Sequence, residues 1–117
     1  MTLKDLIALT GAQNMTPELP LDTQVSCGYT CDLLSWVMAH GKQGMAWITV
    51  QTHMNVIAVA SLMEMAAVII PEGIQMEEPS LEKAREEGVA VLQSEKTAFA
   101  LCALMAQSGL PSSRPED

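Results

Sequence analysis

Aromatic residues are nearly absent from this 117-residue chain, which holds two Trp, one Tyr and one Phe. Any core must therefore be filled by Ala, Val, Ile, Leu and the nine Met, a mixture that favours close packing of helices on a sheet. Basic residues are also scarce: six Lys and Arg stand against fourteen Asp and Glu, for a formal charge of -8. The six are scattered from Lys4 to Arg114, so neither nucleic acid nor an anionic membrane finds a cationic patch to bind. The acidic balance suits solubility or docking on a basic partner surface.

Three cysteines, Cys27, Cys31 and Cys102, cannot all pair within one chain, and two thiols spaced as Cys27 and Cys31 are too few for a closed zinc or iron-sulfur site. No metal and no cofactor is expected. Neither phosphate-cradling fingerprint is present, Gly-x-x-x-x-Gly-Lys-Ser/Thr or Gly-x-Gly-x-x-Gly, which argues against a kinase or a dehydrogenase. The opening Met1-Thr2-Leu3-Lys4-Asp5 lacks a basic region followed by an apolar run, so a cytoplasmic location is expected. The longest apolar stretch, Met54 to Ile70, is broken by Asn55, Ser61 and Glu64 and ends at Pro71; it reads as a buried helix followed by a strand.

Local patterns then give the order of elements. Thr2 and Asp5 have capping-box spacing before a short helix that Gly11 ends, and Pro17 and Pro20 mark an extended connection. Gln24 to Cys27 reads as a strand, Gly28-Tyr29-Thr30 as a turn, and Leu33 to Met38 as a helix that stops near Gly41. Met45 to Val50, Ala66 to Ile70 and Val89 to Leu92 read as further strands. Helices are expected from His53 to Met65, from a Ser80 cap to Gly88, and from Thr97 to Gln107.

Alternating strands and helices predict an α/β fold: a single domain over residues 1–108, with a mostly parallel sheet of about four to five strands and helices on both faces. Residues 109–117 are expected to be a flexible acidic and proline-rich tail.

Parallel sheets bind ligands beyond the carboxyl ends of their strands. The ligand-binding candidates are accordingly Gly28, Tyr29, Thr30, Thr52, His53, Glu72, Gly73, Ser94 and Thr97, a set suited to a small anion or a nucleotide. Helix capping is the competing role for Thr30, Thr52 and Thr97. His53 has no evident Ser, Cys or carboxylate partner, though an enzyme pairing it with Tyr29 or Thr30 is an alternative reading. His40 fits a helix C-terminal cap, and the acidic group Glu77, Glu78, Glu82, Glu86 and Glu87 fits a solvated helix face.

From about Leu3 to Met105 the chain resembles the DRTGG domain family, a small α/β module similar to the N-terminal domain of HPr kinase/phosphorylase and found beside CBS domains. The family's Gly-Asp-Arg turn corresponds to Thr52-His53-Met54, its Thr-Gly-Gly to Pro71-Glu72-Gly73, and its last strand-to-helix turn to Ser94-Glu95-Lys96-Thr97; of the naming residues only Gly73 is kept. The resemblance implies a non-catalytic regulatory or accessory role, with a protein partner such as a redox or hydrogenase-type enzyme and self-association. A purely structural interaction subunit, with exposed Met and Trp36 or Trp47 as its contact patch, is the other expectation.

Overall fold

The computed structural model describes all residues from Met1 to Asp117. Five strands form one sheet in the order β1-β5-β4-β3-β2, where β1 is Gln13–Asn14, β2 Cys27–Thr30, β3 Met45–Ile48, β4 Ala67–Ile70 and β5 Val91–Gln93. Strands β2 to β5 are parallel, and the two-residue β1 pairs antiparallel with β5. The fold is thus the expected α/β domain with a mostly parallel sheet.

Side chains alternate across the strands as the pleat demands. Met45, Trp47, Val68, Ile70 and Val91 point to one layer, with Val37 of α2 (Leu34–His40), Val56, Ile57 and Ala60 of α3 (Met54–Leu62), and Leu81 and Ala84 of α4 (Glu78–Glu87). Ala46, Ile48, Ala67, Ile69 and Leu92 point to the other, against Leu3 and Leu6 of α1 (Leu3–Thr10) and Leu101 and Met105 of α5 (Ala98–Gln107). The strand order is monotonic from β2 to β5, and the helices of its three crossovers, α2, α3 and α4, pack on the same face, so only α1 and α5 cover the opposite one.

Most helix ends follow the local chemistry. The Thr2 hydroxyl accepts from the Asp5 N–H at 3.2 Å while the Asp5 carboxylate accepts from the Thr2 N–H at 2.9 Å; Gly11 and Gly88 end α1 and α4 in the left-handed conformation at φ 67° and 72°. The Thr2 backbone N–H first, and then the Thr2 hydroxyl beside the same carboxylate, hold the Asp5 carboxyl below its ordinary pKa.

Several boundaries differ from expectation; β3 ends at Ile48 rather than Val50, and α3 at Leu62 rather than Met65. The strand placed at Gln24 to Cys27 lies instead at Cys27–Thr30, because Gly28, Tyr29 and Thr30 pair with Ala46, Trp47 and Ile48; Thr30 therefore ends a strand and caps no helix. The last strand is Val91–Gln93 rather than Val89 to Leu92. Helix α4 starts from Glu77 with Pro79 in its first turn, so Ser80 lies inside the helix. His53, not Thr52, caps α3: its Nδ1 accepts from the Asn55 N–H at 3.1 Å.

The segment after residue 108, expected as a flexible tail, runs along the outer side of β2. Gly28 N–H donates to the Pro111 carbonyl at 2.9 Å, and Gly28 forms a parallel bridge with Ser112. No helix is long and apolar enough to cross a membrane.

Candidate functional site

The rim beyond the strand ends, where a ligand was expected, is stitched from loop to loop. The Asp32 carboxylate, after β2, accepts from the Thr49 hydroxyl at 2.8 Å and the Val50 N–H at 3.0 Å. Thr52 donates its hydroxyl to Glu77 at 3.3 Å, and its carbonyl accepts from the Ser80 hydroxyl at 2.8 Å. Glu72 N–H and Gly73 N–H donate to the carbonyls of Lys96 at 2.8 Å and Ser94 at 2.9 Å. Glu72 and Gly73 both have positive φ, 66° and 71°, a conformation that favours glycine at the second position and strains the first. A depression of about 170 Å³ remains, lined by Gly73 and Ser94 with Gly11, Gln13, Gln93 and Glu95.

Open space lies elsewhere. A cavity of about 690 Å³ runs beside edge strand β2, within the range of small-molecule sites. Gly28, Tyr29 and Thr30 form its floor, α2 contributes Trp36, Ala39 and His40, and α5 contributes Cys102, Met105 and Ala106. Residues Leu110 to Arg114 and Asp117 close the outer side. The cleft exists because β2 has no neighbouring strand, while helices on opposite faces overhang its edge. Gly28 lets them approach: a Cβ there would stand 3.1 Å from Met105 Cε and 3.5 Å from Leu110 Cδ2.

The cleft's chemistry differs from that of the molecule as a whole. Lys42 and Arg114, two of the six Lys and Arg, line it with His40, and Asp117 is its one acidic side chain. Burial raises the pKa of the Tyr29 phenol, with the nearby Cys31 adding to the shift, and burial likewise raises the Cys102 thiol, so both remain neutral near pH 7. Trp36 is 52% exposed and stacks on His40 with ring centroids 4.2 Å apart. His40 Nδ1 donates to the Trp36 carbonyl at 2.9 Å, the expected closure of the α2 C-terminus. These groups can offer a ligand an aromatic surface, hydroxyl and thiol donors, and two cations.

Of the nine sequence candidates, Gly28, Tyr29 and Thr30 come together in this cleft, while Thr52, His53, Glu72, Gly73, Ser94 and Thr97 are spread along the rim. Thr97 is the cap of α5, its hydroxyl accepting from the Ala100 N–H at 3.1 Å. His53 is occupied as a cap and does not line the cleft, so the enzyme reading that joined it to Tyr29 or Thr30 loses its geometry. Trp47 is fully buried and its Nε1–H donates to the Cys31 carbonyl at 2.8 Å, which removes it from any surface patch. No group of three or more His, Cys, Asp and Glu side chains is arranged to hold a metal, and all three cysteines are free. Lys42, Arg114 and Asp117 were not among the sequence candidates; they meet through the docking of the chain's end on β2, which no local pattern encodes.

No protein-family model and no curated protein matches the chain. Among solved structures it is similar to the regulatory region of a Clostridium perfringens pyrophosphatase, comprising CBS and DRTGG domains in complex with the activator diadenosine tetraphosphate. The TM-score is 0.70 at 15% identity, over 96% of this chain and 48% of that one. The two share a fold. The chain thus spans about half of that regulatory region.

Proposed function

We propose that the chain is a non-catalytic regulatory or accessory module of the DRTGG kind, and that a small anion of the nucleotide or phosphorylated-metabolite class enters the cleft beside β2. The observation that carries this reading is the meeting of Lys42, Arg114, Trp36 and Tyr29 around about 690 Å³ in a protein of net charge -8. Cations recognise phosphate, and a half-exposed indole offers a base a stacking face. The shared fold with a regulatory region that binds diadenosine tetraphosphate supports the same class of role. The bound state would be read by a protein partner, for which a redox enzyme is the kind the family resemblance implies, or by a second copy of the chain.

Thermal unfolding against ATP, diadenosine tetraphosphate and inorganic phosphate tests this. Ligand at about 100 times its Kd stabilises the folded state by about 2.7 kcal/mol, a Tm rise of about 10 °C in a domain of this size. Lys42→Glu is expected to weaken binding about tenfold, the loss of one charged hydrogen bond. The purely structural reading is favoured by the exposure of Leu33, Met38 and Phe99, the last 85% exposed. An unchanged Tm with every probe, in a protein of dimeric or larger mass, would select it.

A further inference from the structure

The two cleft cations already have partners, and both belong to the segment that forms the outer wall. Lys42 Nζ donates to the Ser113 carbonyl. Arg114 Nε lies 3.7 Å from Asp117 Oδ2, and the same carboxylate oxygen accepts from the Ser112 hydroxyl at 2.6 Å. Asp117 thereby folds residues 112–117 into a closed turn with its carboxylate at the cleft. The strap is otherwise held to the body by the Gly28 N–H bond to Pro111 at 2.9 Å with its Gly28–Ser112 bridge, by the Leu110 N–H bond to the Met105 carbonyl at 3.2 Å, and by the half-buried Leu110 side chain packed against the layer that contains Met105. All of Ser112, Arg114 and Asp117 are exposed, so these bonds are screened and individually weak.

We propose that the C-terminal strap, residues 110–117, is a built-in competitor for the cleft: the Asp117 carboxylate and the Ser113 carbonyl occupy the positions that ligand phosphate oxygens take, and an anion binds by displacing them. This rests on the cleft being the ligand site, and it gives that site its regulation. Binding frees Lys42 from the Ser113 carbonyl and Arg114 from Asp117 and opens the strap's pairing with Gly28 of β2, while Arg114, itself a strap residue, stays over the cleft on the anion. The ligand state is thereby converted into exposure of a sheet edge, a surface open to strand addition. Because the docked strap lowers the fraction of binding-competent molecules, the apparent Kd is raised by that same fraction.

The Gly28 amide reports strap docking directly, since its one acceptor is the Pro111 carbonyl. Hydrogen exchange at Gly28 and the Kd for ATP are measured together in the natural chain and in Asp117→Asn, with Ser112→Ala as a second variant that loosens the same turn. ATP is expected to speed exchange at Gly28 while the amides of Val68 and Leu92 in the sheet centre stay protected. Asp117→Asn is expected to bind ATP about fivefold more tightly, the worth of one net hydrogen bond. ATP binding that slows Gly28 exchange, or that Asp117→Asn leaves unchanged or weakens, would show a fixed wall and overturn the strap proposal alone. ATP binding by none of the three proteins would overturn the cleft as an anion site and the strap proposal with it.

Discussion

The rim of the sheet and the edge of β2 are built from the same parallel strands, yet their uses of polar side chains are opposite. At the rim, Asp32, Thr49, Thr52, Ser80, Glu72 and Gly73 spend their hydrogen-bonding capacity on neighbouring loops, and about 170 Å³ is left open. At the edge, Tyr29, Trp36, Lys42 and Arg114 surround about 690 Å³, and the partners of the two cations are exposed chain rather than core. The cause is topological. A strand-end crevice opens where successive crossovers depart to opposite faces, and here α2, α3 and α4 all lie on one face. An edge strand flanked by α2 on one face and α5 on the other leaves a trough whatever the loops do.

The change with the largest expected effect breaks both regions at once. Trp47 is fully buried at the centre of the α2, α3 and α4 layer, and its indole N–H donates to the Cys31 carbonyl at the junction of β2 and the rim. Trp47→Ala is expected to cost about 3–5 kcal/mol, the range for deleting a buried large aromatic. Urea unfolding should then show a midpoint lowered by more than half, or no folded baseline. A loss under about 1 kcal/mol would mean that the layer does not depend on this side chain.

Asp32→Ala separates the two regions. It removes the acceptor shared by the Thr49 hydroxyl and the Val50 N–H, and because Asp32 is exposed, water partly replaces it. The expected loss is about 1–2 kcal/mol in unfolding free energy with the affinity for any cleft ligand unchanged, since Asp32 does not line the cleft. An equal loss of stability and of ligand affinity would show that rim and cleft are one mechanical unit.

The difference between the regions also explains what the sequence disclosed. Elements governed by neighbouring residues were legible: the Thr2 and Asp5 capping box, the Gly11 and Gly88 stops, the β-branched runs that became β3 and β4, and the Thr97 cap. Edge features were not. Gly28 reads locally as a turn, but it is a strand residue beside Ala46, where a Cβ would crowd Met105 and touch Leu110. Strand β1, two residues long, is held by pairings of Gln13 and Asn14 with Gln93 and Leu92, far away in sequence. The Thr16 hydroxyl, which accepts from the Val91 N–H at 3.1 Å, extends that contact across the same gap. The cleft depends on such long-range meetings, so only its floor, Gly28 to Thr30, was anticipated.

The smallest expected effect is a titration confined to the cleft. Tyr29 is the sole tyrosine, so phenolate absorbance reads this one side chain. Burial, then the neighbouring Cys31, sets its pKa above the ordinary value of 10.0 in the folded protein. The sign of the linkage follows: the folded state favours the neutral phenol, so its contribution to stability is complete below pH 10.0 and is lost as pH rises through the folded pKa. Displacing the strap exposes the phenol to water and should move the midpoint down, toward the value in the unfolded chain. An anion held close to Tyr29 moves it up, because phenolate and ligand repel. A midpoint that rises with ATP in the natural chain and falls in Asp117→Asn without ligand would place the anion beside Tyr29 and the strap over it; a midpoint indifferent to both would put Tyr29 outside the working part of the cleft.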